Sequence, residues 1–83
     1  MRMTREQILN ELRIILQDTF EIEPQRVTAE ANLFVDLELD SIDAVDLAIK
    51  LQQLTGKRIK PDGFKTVRTV DDVITAVEQL LAA

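Results

Sequence analysis

The residues best suited to chemistry lie in one short stretch, Asp36–Asp46, which contains one hydroxyl, five carboxylates and no basic residue. The hydroxyl belongs to Ser41, and the carboxylates belong to Asp36, Glu38, Asp40, Asp43 and Asp46. Three of these acids recur every three residues, so a helix would place them on one flank beside Ser41. The stretch therefore predicts a single hydroxyl presented next to a dense negative surface, which suits a basic partner.

Ser41 is predicted to be the first residue of a helix, because Asp40 before it is a good N-cap. At that position the side chain points outward, and the backbone N–H groups of the first turn favour a phosphate ester. Ile42, Val45 and Ile49 follow at helical spacing, and we expect them to begin a buried stripe beneath the hydroxyl. A flexible arm on Ser41 would thus start in water beside an apolar cleft.

The acidic stretch also has the spacing of the opening of a calcium-binding EF-hand loop, at Asp36-x-Glu38-x-Asp40. Such a loop needs glycine at its sixth position and a bidentate glutamate at its twelfth. Ser41 and Leu47 stand at these positions. We therefore predict no dedicated metal site.

The composition argues against a catalyst. The chain has 83 residues, with no cysteine and no histidine. This excludes a disulfide framework and a Ser-His or Cys-His nucleophile pair, and it disfavours zinc. We predict a protein that is not an enzyme, and the length allows one domain over residues 1–83.

Charge and hydropathy limit the classes of binding partner and the cellular location that the sequence predicts. The net charge of −5 disfavours nucleic acid. No apolar run approaches 18 residues, which predicts no membrane span. Residues 1–20 have charges throughout, unlike a signal peptide. We expect a cytoplasmic monomer.

The elements that must position Ser41 are helical. Thr4 and Gln7 form a capping box that predicts a first helix, which ends near residue 21 ahead of Pro24. The second helix should run from its cap at Asp40 to Gly56. Phe64–Val67 can form at most a short helical turn, and Thr69-Val70-Asp71-Asp72 should cap a last amphipathic helix.

The long connection over residues 22–39 shows no sustained period, and its apolar residues should attach it to the bundle. These residues are Val27, Leu33, Phe34, Leu37 and Leu39. The predicted fold is all-α, a small bundle of three longer helices and one short third helix.

Asp40-Ser41-Ile42 resembles the Asp-Ser-Leu/Ile motif of acyl carrier proteins. The context from Leu33 through Asp-Ser-Ile-Asp-x-Val to Gly56 is similar to that family's second helix, and the resemblance covers essentially the whole chain. It implies the acyl-carrier-like four-helix bundle. It also implies that a phosphopantetheinyl transferase esterifies Ser41 with 4′-phosphopantetheine from coenzyme A.

The arm's thiol would then carry acyl chains as thioesters in fatty-acid, polyketide or related specialised lipid biosynthesis. Its partners would be an acyl-loading enzyme, a ketosynthase and other synthase enzymes. The resemblance assigns partner recognition to Asp40, Asp43 and Asp46, with Asp36 and Glu38 extending the same patch. It places Ile42, Val45, Ile49, Leu54, Ile59, Phe64 and Val67 along the cleft that holds the acyl chain.

Two departures refine the resemblance. Peptidyl carriers usually have Gly-Gly-x-Ser before the serine, whereas this chain has Leu39-Asp40. The common bacterial fatty-acid carrier has an acidic run after the second helix, whereas Gln52-Gln53-Leu54 and then Lys57, Arg58, Lys60 and Lys65 stand here. We therefore expect a specialised carrier. The alternative is a small interaction module without a prosthetic group, which docks a basic partner through its acidic helix face.

Overall fold

The computed structural model describes residues 3–59 and 67–82 and contains three α-helices in these ranges. Helix α1 spans Arg5–Phe20, α2 spans Ser41–Thr55 and α3 spans Val70–Ala82, with a short 3₁₀ helix at Pro24–Arg26. These residues contain no β-strand beyond an isolated antiparallel bridge. The predicted all-α bundle is confirmed.

Helix α1 begins and ends where its sequence predicts. The Thr4 hydroxyl accepts from the Gln7 N–H at 3.1 Å, and the Gln7 side chain accepts from the Thr4 N–H at 2.9 Å. This reciprocal pair satisfies two N–H groups that the first turn leaves without a helical partner. At the other end Glu21 adopts a left-handed conformation with φ 58° and donates its N–H to Gln17.

The connection between α1 and α2 is held by its apolar side chains, as predicted. Val27, Leu33, Leu37 and Leu39 are buried in the core, and Phe34 is half-buried against it. Burying a side chain of this size contributes roughly 1.5–3 kcal/mol, so the connection is fixed without being helical.

Backbone hydrogen bonds join this connection to the start of α3. Leu33 donates to the Arg68 carbonyl at 2.8 Å, and Val70 donates to the Ala31 carbonyl at 3.0 Å. Asn32 and Thr69 form the isolated bridge between them. The loop that leads to Ser41 is thereby attached to a second helix of the bundle.

The cap of α3 forms as its sequence predicts. One carboxylate oxygen of Asp72 accepts from the N–H groups of Arg68 and Thr69, at 3.0 and 3.1 Å. The Thr69 hydroxyl accepts from the Asp72 N–H at 3.2 Å. Because donors stabilise the ionised carboxylate, the N–H of Arg68 and then that of Thr69 lower the pKa of Asp72 below its ordinary value.

The core lies where the three helices meet, and α2 contributes Leu47 and Leu51 to it, both fully buried. The prediction that Ile42, Val45 and Ile49 begin the buried stripe is wrong, because 71%, 58% and 44% of these residues are exposed. Helix α2 has two apolar stripes on opposite sides, and the bundle covers only the one formed by its leucines.

The predicted short helix at Phe64–Val67 lies outside the described residues except for Val67, which is buried and not helical.

Arg5 forms ion pairs with Asp71 and Glu78, joining the start of α1 to α3. Across residues 3–59 and 67–82, none of the helices combines the length and apolar character that crossing a membrane requires.

Candidate functional site

Ser41 is the first residue of α2, and its exposed position is set by the cap before it. The Asp40 carboxylate accepts from the Asp43 N–H at 2.9 Å, and the Asp43 carboxylate accepts from the Asp40 N–H at 3.2 Å. This capping box fixes the backbone on both sides of Ser41. The hydroxyl is therefore presented outward from a rigid helix start, as the sequence predicts.

The capping box also determines which donors remain beside the hydroxyl. Four N–H groups at a helix start have no partner within the helix, and the box satisfies those of Asp40 and Asp43. The N–H groups of Ser41 and Ile42 have no protein acceptor within the described residues. These two donors can hydrogen-bond an anionic oxygen attached to Ser41.

Two buried leucines attach the loop before α2 to the core. Leu37 and Leu39 are buried, and they donate their N–H groups to the carbonyls of Asn32 and Leu33, at 3.1 and 3.0 Å. Glu38 between them is exposed and adopts a left-handed backbone with φ 58°. A residue with a Cβ is disfavoured there by roughly 1–2 kcal/mol, so the buried neighbours hold the turn against local strain.

The five predicted recognition acids have different environments. Asp36 accepts from the Asn32 N–H at 2.7 Å and belongs to the loop's internal hydrogen bonding. Asp40 and Asp43 engage each other's backbone in the cap. Glu38 and Asp46 are exposed, and within the described residues their carboxylates have no ion-pair partner.

The predicted cleft residues fall into two groups. Leu54 and Ile59 are half-buried against the core and Val67 is buried, whereas Ile42, Val45 and Ile49 face solvent. Phe64 lies outside the described residues. A groove of about 330 Å³ lies between the start of α1 and the end of α3, lined by Met3, Glu78, Leu81 and Ala82, and it includes none of the predicted site residues.

Sequence reasoning missed two features of the site. The left-handed turn at Glu38 gave no signal because glycine, the residue that usually marks such a turn, is absent there. The pattern of Ile42, Val45 and Ile49 predicts a core stripe, but Leu47 and Leu51 supply the inward face of α2 instead. Counting helical positions from Leu47 and from Ile42 separately distinguishes the inward stripe of α2 from the outward one.

The described residues contain no group of three or more potential metal-ligating side chains.

Comparison with known proteins identifies the family. The sequence model of the family described as "Phosphopantetheine attachment site" matches residues 10–77, a range that contains Ser41. The chain is 65% identical to acyl carrier protein 2 of Ralstonia nicotianae over 81 residues, which cover 98% of this chain and all of that protein. The chain belongs to the acyl carrier protein family. Its function is to carry acyl chains on a covalently attached 4′-phosphopantetheine, in fatty-acid or related biosynthesis.

More distant relatives agree with this identification. The carrier is 40% identical to the acyl carrier protein of Coprothermobacter proteolyticus over 79 residues, which cover 95% of this chain and 96% of that one. It is 31% identical over 80 residues to the meromycolate extension acyl carrier protein of Mycobacterium leprae, covering 96% and 70% of the two chains. The crystal structure of the acyl carrier protein from Thermotoga maritima superposes with a TM-score of 0.85 at 26% identity, over 94% of this chain and 91% of that one.

The residues around Ser41 fit the family's cofactor. An exposed hydroxyl can form the phosphodiester, and the neighbouring N–H groups of Ser41 and Ile42 can donate to its oxygens. When bound, the group supplies the thiol that this cysteine-free chain lacks. The chain itself places the Ser41 hydroxyl at the start of a capped helix, beside an exposed apolar surface.

Proposed function

We propose that Ser41 is the residue that carries 4′-phosphopantetheine. The observation that carries this proposal is the position of its hydroxyl, which is exposed at the first residue of a capped helix inside the family's matched range. Ser41 is also the only serine in the chain. A phosphopantetheinyl transferase would form the ester from coenzyme A at this oxygen.

The Ser41 assignment is tested by intact-mass measurement after coexpression with a broad-specificity phosphopantetheinyl transferase. The wild-type chain should gain the mass of one phosphopantetheine, and Ser41→Ala should gain nothing. Thr28→Ala is the matched control, because it removes an exposed hydroxyl elsewhere and should leave the gain intact. Equal gain in Ser41→Ala would place the arm on another residue. The alternative of an interaction module without a prosthetic group predicts no gain in any variant.

We further propose that the exposed carboxylates near Ser41 recognise basic surfaces on the transferase, the acyl-loading enzyme and the synthase enzymes. Glu38 and Asp46 are the most available, since Asp36, Asp40 and Asp43 also hold the local backbone. For the latter three, a substitution changes both the surface charge and the loop. Partner assays on Glu38→Gln and Asp46→Asn therefore report recognition most directly, and unchanged rates in both would contradict this role.

The acyl chain is proposed to lie against the apolar residues near α2. Leu54, Ile59 and Val67 contact or belong to the core, which supports their place in a cleft wall. Ile42, Val45 and Ile49 could line that cleft only from its outer, solvent-facing side. Phe64 keeps its place in this proposal from the sequence alone.

The carrier's basic residues support a specialised role within the family. Lys57 and Arg58 are exposed just after α2. The resemblance places an acidic run of the common bacterial fatty-acid carrier at this point of the chain. A partner selected for a uniformly acidic carrier would meet like charge here. We expect housekeeping fatty-acid enzymes to extend chains on this protein more slowly than on a typical acidic carrier, and equal extension rates would contradict the specialised role.

The carrier is proposed to have no catalytic turnover of its own, with the chemistry supplied by the arm and the partner enzymes. A cytoplasmic location, a monomeric state and a single domain over residues 1–83 stay predictions from the sequence.

A further inference from the structure

Gln52 attaches the turn after α2 to the helix through both its backbone and its side chain. Its carbonyl accepts from the Gly56 N–H at 2.8 Å, which closes the last turn of α2. Its side-chain oxygen Oε1 accepts from the Ile59 N–H, also at 2.8 Å. Both distances lie in the range of well-formed hydrogen bonds. One side chain therefore holds the backbone at Ile59, seven residues further along the chain, against α2.

A second side chain orders the beginning of the same turn without contacting the Ile59 N–H. The Thr55 hydroxyl accepts from the Lys57 N–H at 3.2 Å and donates to the Leu51 carbonyl at 2.8 Å. Among the residues that the structure describes, the side-chain oxygen of Gln52 is the only acceptor for the Ile59 N–H. The position of Ile59 therefore depends on Gln52 more directly than on the rest of the turn.

Ile59 belongs to the proposed wall of the acyl cleft, and its side chain is half-buried against the core. Val67, in the same proposed wall, is buried and is held by different contacts. Its neighbour Arg68 accepts a backbone hydrogen bond from Leu33, in the connection that precedes α2. The two wall residues are thus fixed independently, and loss of the Gln52 side chain releases Ile59 without releasing Val67.

A glutamine suits this hydrogen bond better than an acid would. Gln52 lies in the last turn of α2, where the helix dipole disfavours a negative charge. Its amide supplies an acceptor oxygen without that charge, in a half-buried position where an ionised group would lose hydration. The adjacent Gln53 is exposed, and its side chain has no hydrogen-bond partner within residues 3–59 and 67–82. Only one of two neighbouring glutamines therefore holds the turn.

On the basis of the proposed function, we propose that Gln52 is a positioning residue for the acyl cargo and acts through Ile59. Its hydrogen bond keeps the Ile59 side chain in the cleft wall, so an acyl chain that contacts this wall is shielded from water. The cargo that depends on Gln52 is therefore a thioester of a medium or long aliphatic chain. An acetyl group is too short to use the wall, so its reactivity reports only the exposure of the thioester.

The test measures how fast hydroxylamine cleaves the thioester of the loaded carrier. A broad-specificity transferase loads each variant from acetyl- or octanoyl-coenzyme A, and intact mass follows the loss of the acyl group. Each rate is divided by that of the same acyl-coenzyme A free in solution, which removes intrinsic reactivity. Gln52→Met removes the acceptor oxygen with little change in size or helix propensity, and Gln53→Met is the matched control. Gln52→Glu keeps an acceptor oxygen at the same position.

With octanoyl cargo, Gln52→Met should be cleaved about fivefold faster than wild type, the factor that one typical hydrogen bond contributes. Gln53→Met should stay within about twofold of wild type, and Gln52→Glu should recover most of the protection. With acetyl cargo all four proteins should react at the same rate. A purely structural role for Gln52 would not produce this dependence on chain length.

Equal cleavage of octanoyl cargo in wild type and Gln52→Met would overturn the inference, as would equal acceleration in Gln53→Met or with acetyl cargo. Cleavage of Gln52→Glu as fast as Gln52→Met would contradict the role of the acceptor oxygen. Two measurements on wild type test the proposed function separately: the mass gained on loading tests Ser41, and better protection of octanoyl than of acetyl cargo tests the cleft. Failure of either would remove the basis of this inference, whereas unchanged Gln52 variants would overturn this inference alone.

Discussion

The capping box beside Ser41 makes a prediction for Asp40→Ala that links stability to loading. The substitution removes the 2.9 Å hydrogen bond from the Asp43 N–H and a negative charge at the start of α2. Loss of an N-cap costs about 1 kcal/mol, and loss of the charge from the helix dipole costs about 0.3–1 kcal/mol more. The free energy of unfolding should therefore fall by about 1–2 kcal/mol, which lowers the Tm of a chain this small by roughly 5–15 °C.

The assay combines thermal unfolding with the initial rate of phosphopantetheine loading, measured well below the lower Tm. Asp40→Asn keeps a good cap and should recover most of the stability. Thr4→Ala removes the equivalent cap of α1, so it should lower the Tm by a similar amount and leave the loading rate unchanged. Asp40→Ala should slow loading because the helix start that presents Ser41 frays. A Tm for Asp40→Ala within 2 °C of wild type, or equal slowing in Thr4→Ala, would refute this reasoning (the 2 °C limit being about half the smallest shift expected for 1 kcal/mol).

Three further predictions concern other parts of the fold. The pKa of Asp72 is lowered in the folded state. The ionised carboxylate therefore adds to the free energy of unfolding above the ordinary pKa of 3.8, and this stabilisation is lost as the pH falls through the lowered pKa. Denaturant unfolding of wild type and Asp72→Asn should therefore differ at neutral pH and converge in acid; a pH-independent difference would contradict the cap's ionic character. Glu38→Gly should raise the free energy of unfolding by about 0.5–1 kcal/mol because it relieves a left-handed backbone, whereas Glu23→Gly at φ −63° should lower it. In the same experiment, Leu47→Ala should lower the free energy of unfolding by about 2–5 kcal/mol, and Ile42→Ala should lower it by under about 1 kcal/mol. Equal losses would show that Ile42 is packed in solution.

The predictions from sequence that were confirmed rest on local rules. The caps at Thr4, Asp40 and Thr69 and the left-handed Gly56 that ends α2 follow from hydrogen bonding within a few residues. The position of Ser41 follows from the same rules, because a residue after a strong N-cap starts a helix. Hydrogen bonding between residues a few positions apart can be predicted from one sequence without knowledge of the tertiary fold.

The features that sequence reasoning missed depend on contacts between distant segments. The choice of Leu47 over Ile42 for the core depends on where α1 and α3 lie, and both residues belong to acceptable helical stripes. The hydrogen bond from Leu33 to Arg68 joins segments 35 residues apart and has no sequence signature. The left-handed Glu38 is held by its buried neighbours against its own preference, so its propensity gave the wrong expectation.

The absence of cysteine permits the most direct test of the central claim. After coexpression with a phosphopantetheinyl transferase, any free thiol in the purified protein must belong to the attached arm. Titration of free thiols under reducing conditions should give one thiol per wild-type chain and none per Ser41→Ala chain. No thiol in the wild type, or the same number in both proteins, would contradict the account.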